Sequence, residues 1–157
     1  MTAPIVRVQT HPFDMTQTIE QLRGERTDIG AVASFCGYVR DFSENPGVLA
    51  LTLEHYPGMT EQVLQQIAQT AQNRWALSGV RVIHRIGRME PGDPIVLVVT
   101  ASPHRHAALE ACAYIMDQLK TRAPFWKKEH TAQGDYWVEA RSSDTEAANR
   151  WEQTGHE

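Results

Sequence analysis

The feature that most constrains the fold is an unbroken run at residues 95–101, IVLVVTA, which Ser102-Pro103 follows at once. A run this rich in β-branched residues predicts a strand that is buried on both faces. A hydroxyl residue before a proline is typical of a helix start, because the hydroxyl caps free N–H groups and proline fits the first helical position. The sequence therefore predicts a central strand that leads directly into a helix.

The helix predicted after Pro103 carries an apolar stripe at helical spacing. The stripe consists of Ala108, Ala111, Cys112, Ile115, Met116 and Leu119. Pro124 is expected to end this helix at about residues 120–122, because the residue before a proline disfavours helical geometry. Two strands, residues 125–131 and 136–140, are predicted to follow and to be joined through Gln133-Gly134-Asp135.

The first half of the chain also alternates between strand and helix patterns. Further strands are predicted at residues 5–8, 30–40, 49–56 and 80–86. The strand at residues 30–40 is expected to be buried, because its residues are mostly small or β-favouring. A polar loop is expected at residues 41–47 and a turn at residues 90–93.

Two helices are predicted between these strands. Asp14 is expected to cap a helix with Met15, Ile19 and Leu22 on one face. Thr60 is expected to cap a longer helix. The inner face of that helix is predicted to carry Val63, Leu64, Ile67, Ala68, Ala71 and Trp75. Interspersed helices and strands, with hairpin-like pairs, predict an α+β fold with a mixed or antiparallel sheet and flanking helices.

Composition limits the class of protein. A chain of 157 residues suits one domain with its own core, and a net charge of −4 argues against wholesale binding to nucleic acid. Since no apolar run approaches ~20 residues and no signal-peptide pattern opens the chain, a cytoplasmic location is expected. Residues 1–141 are predicted to form a single domain, and residues 142–157 a polar tail with a short helix reaching Trp151.

Positive side chains gather in one part of this acidic chain. They are His104, Arg105, Lys120, Arg122, Lys127 and Lys128. A local basic cluster on an acidic protein predicts an anionic ligand. Lys120 and Lys127 are the leading candidates for chemistry, because burial or neighbouring cations can turn a lysine into an acid, base or nucleophile. The alternative is structural, since lysine complements the dipole at a helix C-terminus and Lys-Lys on a strand often faces solvent.

Further cations lie at element ends, where they are suited to gripping an anion. His104 and Arg105 lie at the start of a predicted helix, whose free N–H groups attract anions. Arg40 lies where a predicted strand ends and a loop begins. Arg105 and Lys120 are 15 residues apart, so a continuous helix separates them by ~22 Å. One small ligand cannot reach both within one chain. We therefore hypothesise a homodimer whose pockets are completed across the interface, against the alternative of incidental surface charges.

Other kinds of site find little support. The seven histidines are scattered and the chain has no HExxH motif, so no metal site is predicted. The chain also has no Walker loop, no GxGxxG and no GxSxG nucleophile elbow. Glu54 and His55 are adjacent on a predicted strand and point to opposite faces, which argues against a catalytic dyad. Cys36 and Cys112 lack CxxC spacing and sit in apolar surroundings, which predicts two buried free thiols.

Several long blocks resemble one family. They are Gly30-Ala with Phe35, Gly37 and Val39-Arg40; residues 51–61, LTLEHYPGMTE; His84-Arg-Ile-Gly87; Pro91-Gly92-Asp93; His104-Arg105; and residues 116–129, MDQLKTRAPFWKKE. On these blocks the chain resembles the MoaE family, the large, catalytic subunit of molybdopterin synthase. The resemblance covers about residues 5–151, essentially the whole chain.

The resemblance implies a fold, a reaction and partners. It implies an α/β hammerhead fold and a central homodimer that binds a small ubiquitin-like sulphur-carrier subunit at each end, giving a heterotetramer. The carrier's C-terminal Gly-Gly tail, as a thiocarboxylate, enters the catalytic pocket. This sulphurtransferase would pass two sulphurs in succession to cyclic pyranopterin monophosphate to form the dithiolene of molybdopterin. No permanently bound cofactor is expected.

The resemblance also implies roles for particular residues. Lys120 and Lys127 would be catalytic and would also contact substrate. Substrate binding would further involve Tyr38, Val39, Arg40, His104, Arg105, Lys128 and Glu129, and pocket walls would come from Phe35, Met116 and Phe125. Some family members carry lysine where this chain has Tyr38, which removes one positive charge near Arg40 and argues against anion binding by this side chain.

Two rival functions are open at this point. A non-catalytic scaffold would bind the ubiquitin-like tail in the same groove without converting substrate. A nucleic-acid or nucleotide binder would use the lysines and arginines together with stacking on Phe125 and Trp126. The second rival predicts steeply salt-dependent binding to oligonucleotides.

Overall fold

The computed structural model describes residues 3–41, 47–138 and 142–154. The strands are β1 (Ile5–Gln9), β2 (Ala31–Tyr38), β3 (Val48–His55), β4 (Gly79–Arg85), β5 (Gly87–Met89), β6 (Pro94–Ser102), β7 (Phe125–Thr131) and β8 (Gly134–Val138). The helices are α1 (Met15–Arg23), α2 (Met59–Trp75), α3 (Arg105–Arg122) and α4 (Ser142–Thr154). Within these ranges the strands form two four-stranded sheets, β1-β4-β6-β2 and β5-β3-β7-β8. The predicted α+β class is confirmed.

The first sheet is mixed and has β6 in its interior. β1 pairs with β4 in parallel, whereas β6 pairs antiparallel with both β4 and β2. Leu97, Val98 and Val99 are fully buried, so the predicted central strand is confirmed. Because successive side chains point to opposite faces of a strand, β6 contributes side chains to two separate cores. Val98 packs with α2 and α3 on one face, and Leu97 and Val99 pack with α1 on the other.

α3 begins later than the sequence predicted. Its first residue is Arg105 and its N-cap is His104, whereas the pattern placed Pro103 at the first helical position. Ser102 is instead the last residue of β6 and pairs with Ala31. Its Oγ accepts a hydrogen bond from the His104 N–H (3.0 Å) and donates to the His104 carbonyl (2.8 Å). The strand pairing thus retains a residue that local preference assigns to the helix. The predicted end of α3 before Pro124 is confirmed.

The N-terminus of α2 also differs from the prediction. Gly58 is the N-cap, with φ of +86°, and Thr60 lies inside the first turn. The predicted inner face holds, since Leu64, Ile67, Ala68 and Ala71 are buried and Val63 and Trp75 are half-buried. In α1, Asp14 caps the helix as predicted, accepting from the Gln17 N–H at 2.9 Å. Met15, predicted on the inner face, is exposed, while Leu22 is buried.

β2 is a strand as predicted, but it is not a buried one. It occupies the edge of the first sheet beside β6, and Phe35 and Tyr38 are 41% and 56% exposed. Cys36 is half-buried rather than buried, whereas Cys112 on α3 is buried, and burial raises the pKa of its thiol to about 11. Small, β-favouring residues suit edge and central strands alike, and therefore composition could not separate the two.

The second sheet is antiparallel and carries the hairpin predicted near the C-terminus. β3 pairs with β5 and β7, and β7 pairs with β8. β7 has the predicted bounds, and β8 begins at Gly134, two residues before the predicted start at Tyr136. Residues 139–140 of that predicted strand lie outside the described residues, as do 42–46 of the predicted loop and 155–157 of the predicted tail.

α4 packs against α3 through aromatic side chains. The Trp151 ring meets Trp75 and Tyr114 edge-on, with centroids 5.7 and 5.6 Å away. Its Nε1–H donates to the Asp117 carboxylate at 2.7 Å. The C-terminal helix is therefore held to α2 and α3 by ring packing and a charge-assisted hydrogen bond. Among the described residues, no helix combines the length and apolarity that crossing a membrane requires.

Replacing Gly30 with alanine is expected to destabilise the fold, because an added Cβ would lie 2.1 Å from the Pro103 carbonyl oxygen. The Gly30 N–H also donates to the Ser102 carbonyl at 3.0 Å. The backbone therefore cannot move away from Pro103 without breaking this hydrogen bond. We expect a loss of about 3 kcal/mol or more in the free energy of unfolding, measured by urea denaturation. Ser34→Ala, at an exposed position on β2, which begins one residue after Gly30, is the control. Equal stability of the two variants would contradict the prediction.

Candidate active site

A cavity of about 140 Å³ lies where the last turn of α3 approaches the second sheet and the end of β2. Its lining residues are Tyr38, Val39, Arg40, Val48, Leu51, Ile95, Lys120, Lys127 and Glu129. The volume is many times the ~15 Å³ that a single water needs. Six of the residues singled out from the sequence therefore share one cavity, although they are spread over more than half of the chain.

Local structure explains how each polar side chain reaches the cavity. Lys120 lies in the last turn of α3, and Arg40 follows the end of β2. Lys127 and Glu129 are two residues apart on β7, so strand geometry puts both on the same face. Their partners on β3, Leu53 and Leu51, are buried on this face, and Leu51 lines the cavity.

The charged groups differ in depth. Glu129 is 4% exposed, Lys127 is half-buried, and Lys120 and Arg40 are exposed. A buried carboxylate thus lies at the base of the cavity, and cations surround its mouth. Such an arrangement attracts an anion, since the cations outnumber the carboxylate and fields are focused inside a cleft. It also allows proton transfer between an amine and a bound group.

His84 lies beneath this site, although no role was predicted for it beyond membership in a motif. Its ring is 5% exposed and stacks on Phe125, with centroids 4.0 Å apart and planes at 22°. Its Nδ1 lies 2.9 Å from the Arg85 carbonyl oxygen, which fixes Nδ1 as the protonated nitrogen. Burial lowers the pKa of His84 to about 4; the positive charge of Lys120 adds to this, and the hydrogen bond to Arg85 opposes it. The ring is therefore neutral at neutral pH.

The pattern of the sequence around His84 did not mark it as a site residue. On β4, Val80, Val82 and His84 share one buried face, which in the sequence reads as an ordinary core stripe. Only the packing of Phe125 against that face brings the imidazole below the lysines.

Lys128 lies on the opposite face of the second sheet. Its ammonium is 4.7 Å from the centre of the Trp137 ring, and it pairs with Thr52 and Trp137 in register. The same face carries a hydrogen-bonded row in which His130 joins the Thr52 hydroxyl (2.7 Å) and the Asp135 carboxylate (2.8 Å). These side chains are separated from the cavity by the sheet.

His104 and Arg105 lie at the start of α3, and Lys120 lies in its last turn. The helix is continuous from Arg105 to Arg122, so the ~22 Å separation expected from the sequence applies. One chain does not bring the two ends into a single pocket.

The three expected wall residues have different surroundings. Phe125 is half-buried against His84, Met116 is 9% exposed in the core between helices and sheet, and Phe35 is exposed on β2. None of the three is among the described residues that line the cavity. Phe125 supports it from below.

The described residues form neither a metal-binding cluster nor a Glu54–His55 pair. In the described part of the chain, no group of three or more His, Cys, Asp or Glu side chains is arranged to hold a metal ion. Glu54 is exposed and lies opposite Trp126, on the other face of the strand from His55. His55 instead approaches Glu61, with Nε2 and Oε1 3.6 Å apart.

Comparison with known proteins decides the family. The model of the family described as "MoaE protein" matches residues 8–122. The chain belongs to the MoaE family. A curated relative from Pseudomonas aeruginosa, named molybdopterin synthase catalytic subunit, is 55% identical over 148 residues, which cover 94% of this chain and 99% of that protein. The resemblance read from the sequence blocks is thereby confirmed.

Solved structures confirm the expected hammerhead fold. The MoaE protein from Burkholderia ambifaria superposes with a TM-score of 0.82 at 47% identity, covering 95% of this chain and 98% of that one. A chain from a complex of subunits 1 and 2 of the molybdopterin-converting factor of Helicobacter pylori has a TM-score of 0.72 at 20% identity, covering 87% of this chain and 92% of that one. At that identity the second match shows the shared fold alone.

The buried His84 is expected to make stability depend on pH. Its pKa is about 4 in the folded chain against an ordinary 6.5, so between these values the unfolded chain binds more protons. Stability should therefore fall as pH decreases from 6.5 to 4, by up to about 1.4 kcal/mol per pH unit and about 3 kcal/mol in all from this group.

Urea denaturation at several pH values between 7 and 4.5 measures this slope. In His84→Gln, the free energy of unfolding should change less steeply with pH, because close to one fewer proton is taken up on unfolding. His11→Gln, at an exposed position, is the matched control. An unchanged slope in the His84 variant would contradict the assignment.

Proposed function

We propose that this chain is the catalytic subunit of a molybdopterin synthase and acts as a sulphurtransferase. In this proposal it takes sulphur from the C-terminal thiocarboxylate of a small ubiquitin-like carrier. It transfers the sulphur to cyclic pyranopterin monophosphate, and two successive transfers form the dithiolene of molybdopterin. The observation that carries the proposal is the meeting of Lys120, Lys127 and Arg40 around one cavity in a member of the MoaE family.

The chemistry of the two reactants fits the charges of the cavity. A thiocarboxylate tail and a cyclic phosphate are both anionic, and three cations surround the cavity mouth. Arg40 is suited to the phosphate, because a guanidinium binds two oxygens at once. Tyr38 and Val39 would contact the substrate beside it. No permanently bound cofactor enters the proposed reaction.

The two lysines are proposed to act on the reacting atoms. Lys120 or Lys127 would shuttle protons or stabilise developing negative charge while the thiocarboxylate attacks and the cyclic phosphate opens. Glu129 lies buried beside them, where a carboxylate can hold an ammonium in place or accept a proton. Lys120 stands as the leading catalytic residue.

The remaining predicted residues require a second subunit. His104 and Arg105 are one helix length from Lys120, so we propose that a homodimer brings them to the cavity of its partner subunit. The carrier is proposed to bind at each end of that dimer, giving a heterotetramer. The Pseudomonas aeruginosa relative is named a catalytic subunit, which implies a further subunit and supports a two-component assembly. A cytoplasmic location agrees with a reaction between small soluble reactants.

Lys120→Ala is expected to fold and to bind the carrier but to lose most turnover, by about 100-fold or more. The assay combines the purified chain, a thiocarboxylated carrier and cyclic pyranopterin monophosphate, and follows the dithiolene product. Arg23→Ala removes a cation from the last turn of another helix and is the matched control. Near-normal turnover by Lys120→Ala would contradict the role of this residue. Carrier binding without any product from the parent chain would favour the scaffold function.

Mixed dimers test the shared pocket. Arg105→Ala and Lys120→Ala chains should each be nearly inactive alone, and an equal mixture should regain about a quarter of parental activity. Random pairing makes about half of the dimers mixed, and one of the two pockets in each mixed dimer combines two intact halves. Turnover is measured after the dimers have been dissociated and re-formed together. If the mixture remains as inactive as the separate variants, the pocket is not shared between subunits.

A further inference from the structure

The two candidate catalytic lysines are joined by a short corner between α3 and β7. Ala123 ends the helix, with its N–H donating to the Leu119 carbonyl at 3.2 Å, and the Phe125 N–H donates to the Ala123 carbonyl at 2.9 Å. Lys120 precedes this corner and Lys127 follows it. The distance between the two amines therefore depends on how firmly residues 123–125 are held.

One side of the corner is held by His84. The imidazole lies flat against the Phe125 ring at 4.0 Å, and its Nδ1–H is tied to the Arg85 carbonyl. A ring fixed by its own hydrogen bond gives Phe125 a defined surface to pack on. A wholly apolar side chain could fill the same space beneath β4, but it would not make the hydrogen bond that sets the plane of the ring.

The other side of the corner is held by Thr60. Its side chain is fully buried, and its hydroxyl donates to the Pro124 carbonyl at 3.0 Å while accepting from the Tyr56 N–H at 2.9 Å. Proline has no N–H of its own, so the corner depends on its carbonyl for this attachment. One hydroxyl thus connects the corner to the end of β3 and the start of α2.

We propose that His84 and Thr60 are positioning residues for sulphur transfer. They clamp residues 123–125 from two sides and so set the placement of Lys120 relative to Lys127. This inference rests on the proposed function for its effect on turnover, because geometry at reacting atoms governs rate steeply. Neither residue lines the cavity in the described chain, and both act through the corner.

Turnover and amine reactivity together test the proposal. His84→Ala and Thr60→Val should each lower kcat about tenfold or more while KM for the carrier changes by less than about threefold. Thr60→Ser, which keeps the hydroxyl, should recover most of the lost kcat. His84→Phe keeps a flat ring but loses the hydrogen bond to the Arg85 carbonyl, so it should recover only part of the loss. Val82→Ala, in the same buried face of β4, is the control for lost packing and should keep kcat despite lower stability.

A second readout does not depend on turnover. Lys120, Lys127 and Lys128 are the three lysines of the chain, so competitive acetylation with acetic anhydride followed by peptide mass spectrometry resolves every lysine side chain. The ratio of Lys120 to Lys127 labelling should shift about threefold or more in His84→Ala and Thr60→Val, and should be unchanged in Val82→Ala.

The outcomes separate this proposal from the proposed function. If the parent chain makes no product, the proposed function fails and the labelling ratio alone decides the positioning roles. An unchanged ratio in both folded variants, or a loss of kcat in Val82→Ala as large as theirs, would overturn the proposal. Failure of Thr60→Ser to recover kcat would also overturn the proposal, as would a His84→Phe variant no more active than His84→Ala.

Discussion

The two-sided burial of β6 is the constraint on which the rest of the structure depends. Val96 and Val98 face the helices α2 and α3, and Leu97, Val99 and Ala101 face α1. A strand buried on both faces contributes to two cores at once, and each fully buried aliphatic side chain stabilises the fold by roughly 2 kcal/mol. Because β6 also leads into α3, the packing that fixes the strand fixes the direction of the helix that carries Lys120 to the site.

The position where strand becomes helix is set by close backbone contact. Gly30 donates to the Ser102 carbonyl and leaves no room for a Cβ beside Pro103. The start of β2 is thereby locked to the end of β6, and the far end of β2 then carries Arg40 to the cavity. A tight contact at one end of a strand thus influences a functional side chain at the other, since strands are stiff over this length.

The candidate site combines an exposed cationic mouth with a buried polar base. Glu129 lies inside, and neutral His84 lies below it behind Phe125. A charge buried in a protein is costly unless it is paired, and a neutral imidazole avoids that cost next to a lysine. The positive charge therefore lies at the cavity mouth, where an anionic tail and a phosphate would arrive. Neutral His84 adds no second positive charge inside the protein.

Much of the secondary structure followed from local patterns. The run at residues 95–101 predicted β6, Pro124 predicted the end of α3, and the hairpin of β7 and β8 was expected close to where it lies. Errors arose where pairing competed with local preference. Ser102 stayed in the sheet, Gly58 rather than Thr60 capped α2, and β2 lay at an edge. A chain's own pattern does not say which strand has neighbours on both sides.

The sequence by itself determined the family, the fold class and the candidate residues, because long motif blocks and side-chain chemistry are local properties. It predicted that Lys120 and Arg105 cannot meet within one chain, because helix rise fixes their separation. Only the tertiary structure decided that Lys127 faces the cavity while Lys128 faces Trp137, and that His84 and Thr60 hold the corner between the lysines. Those relations depend on strand register and on packing between residues distant in sequence, which no local pattern encodes.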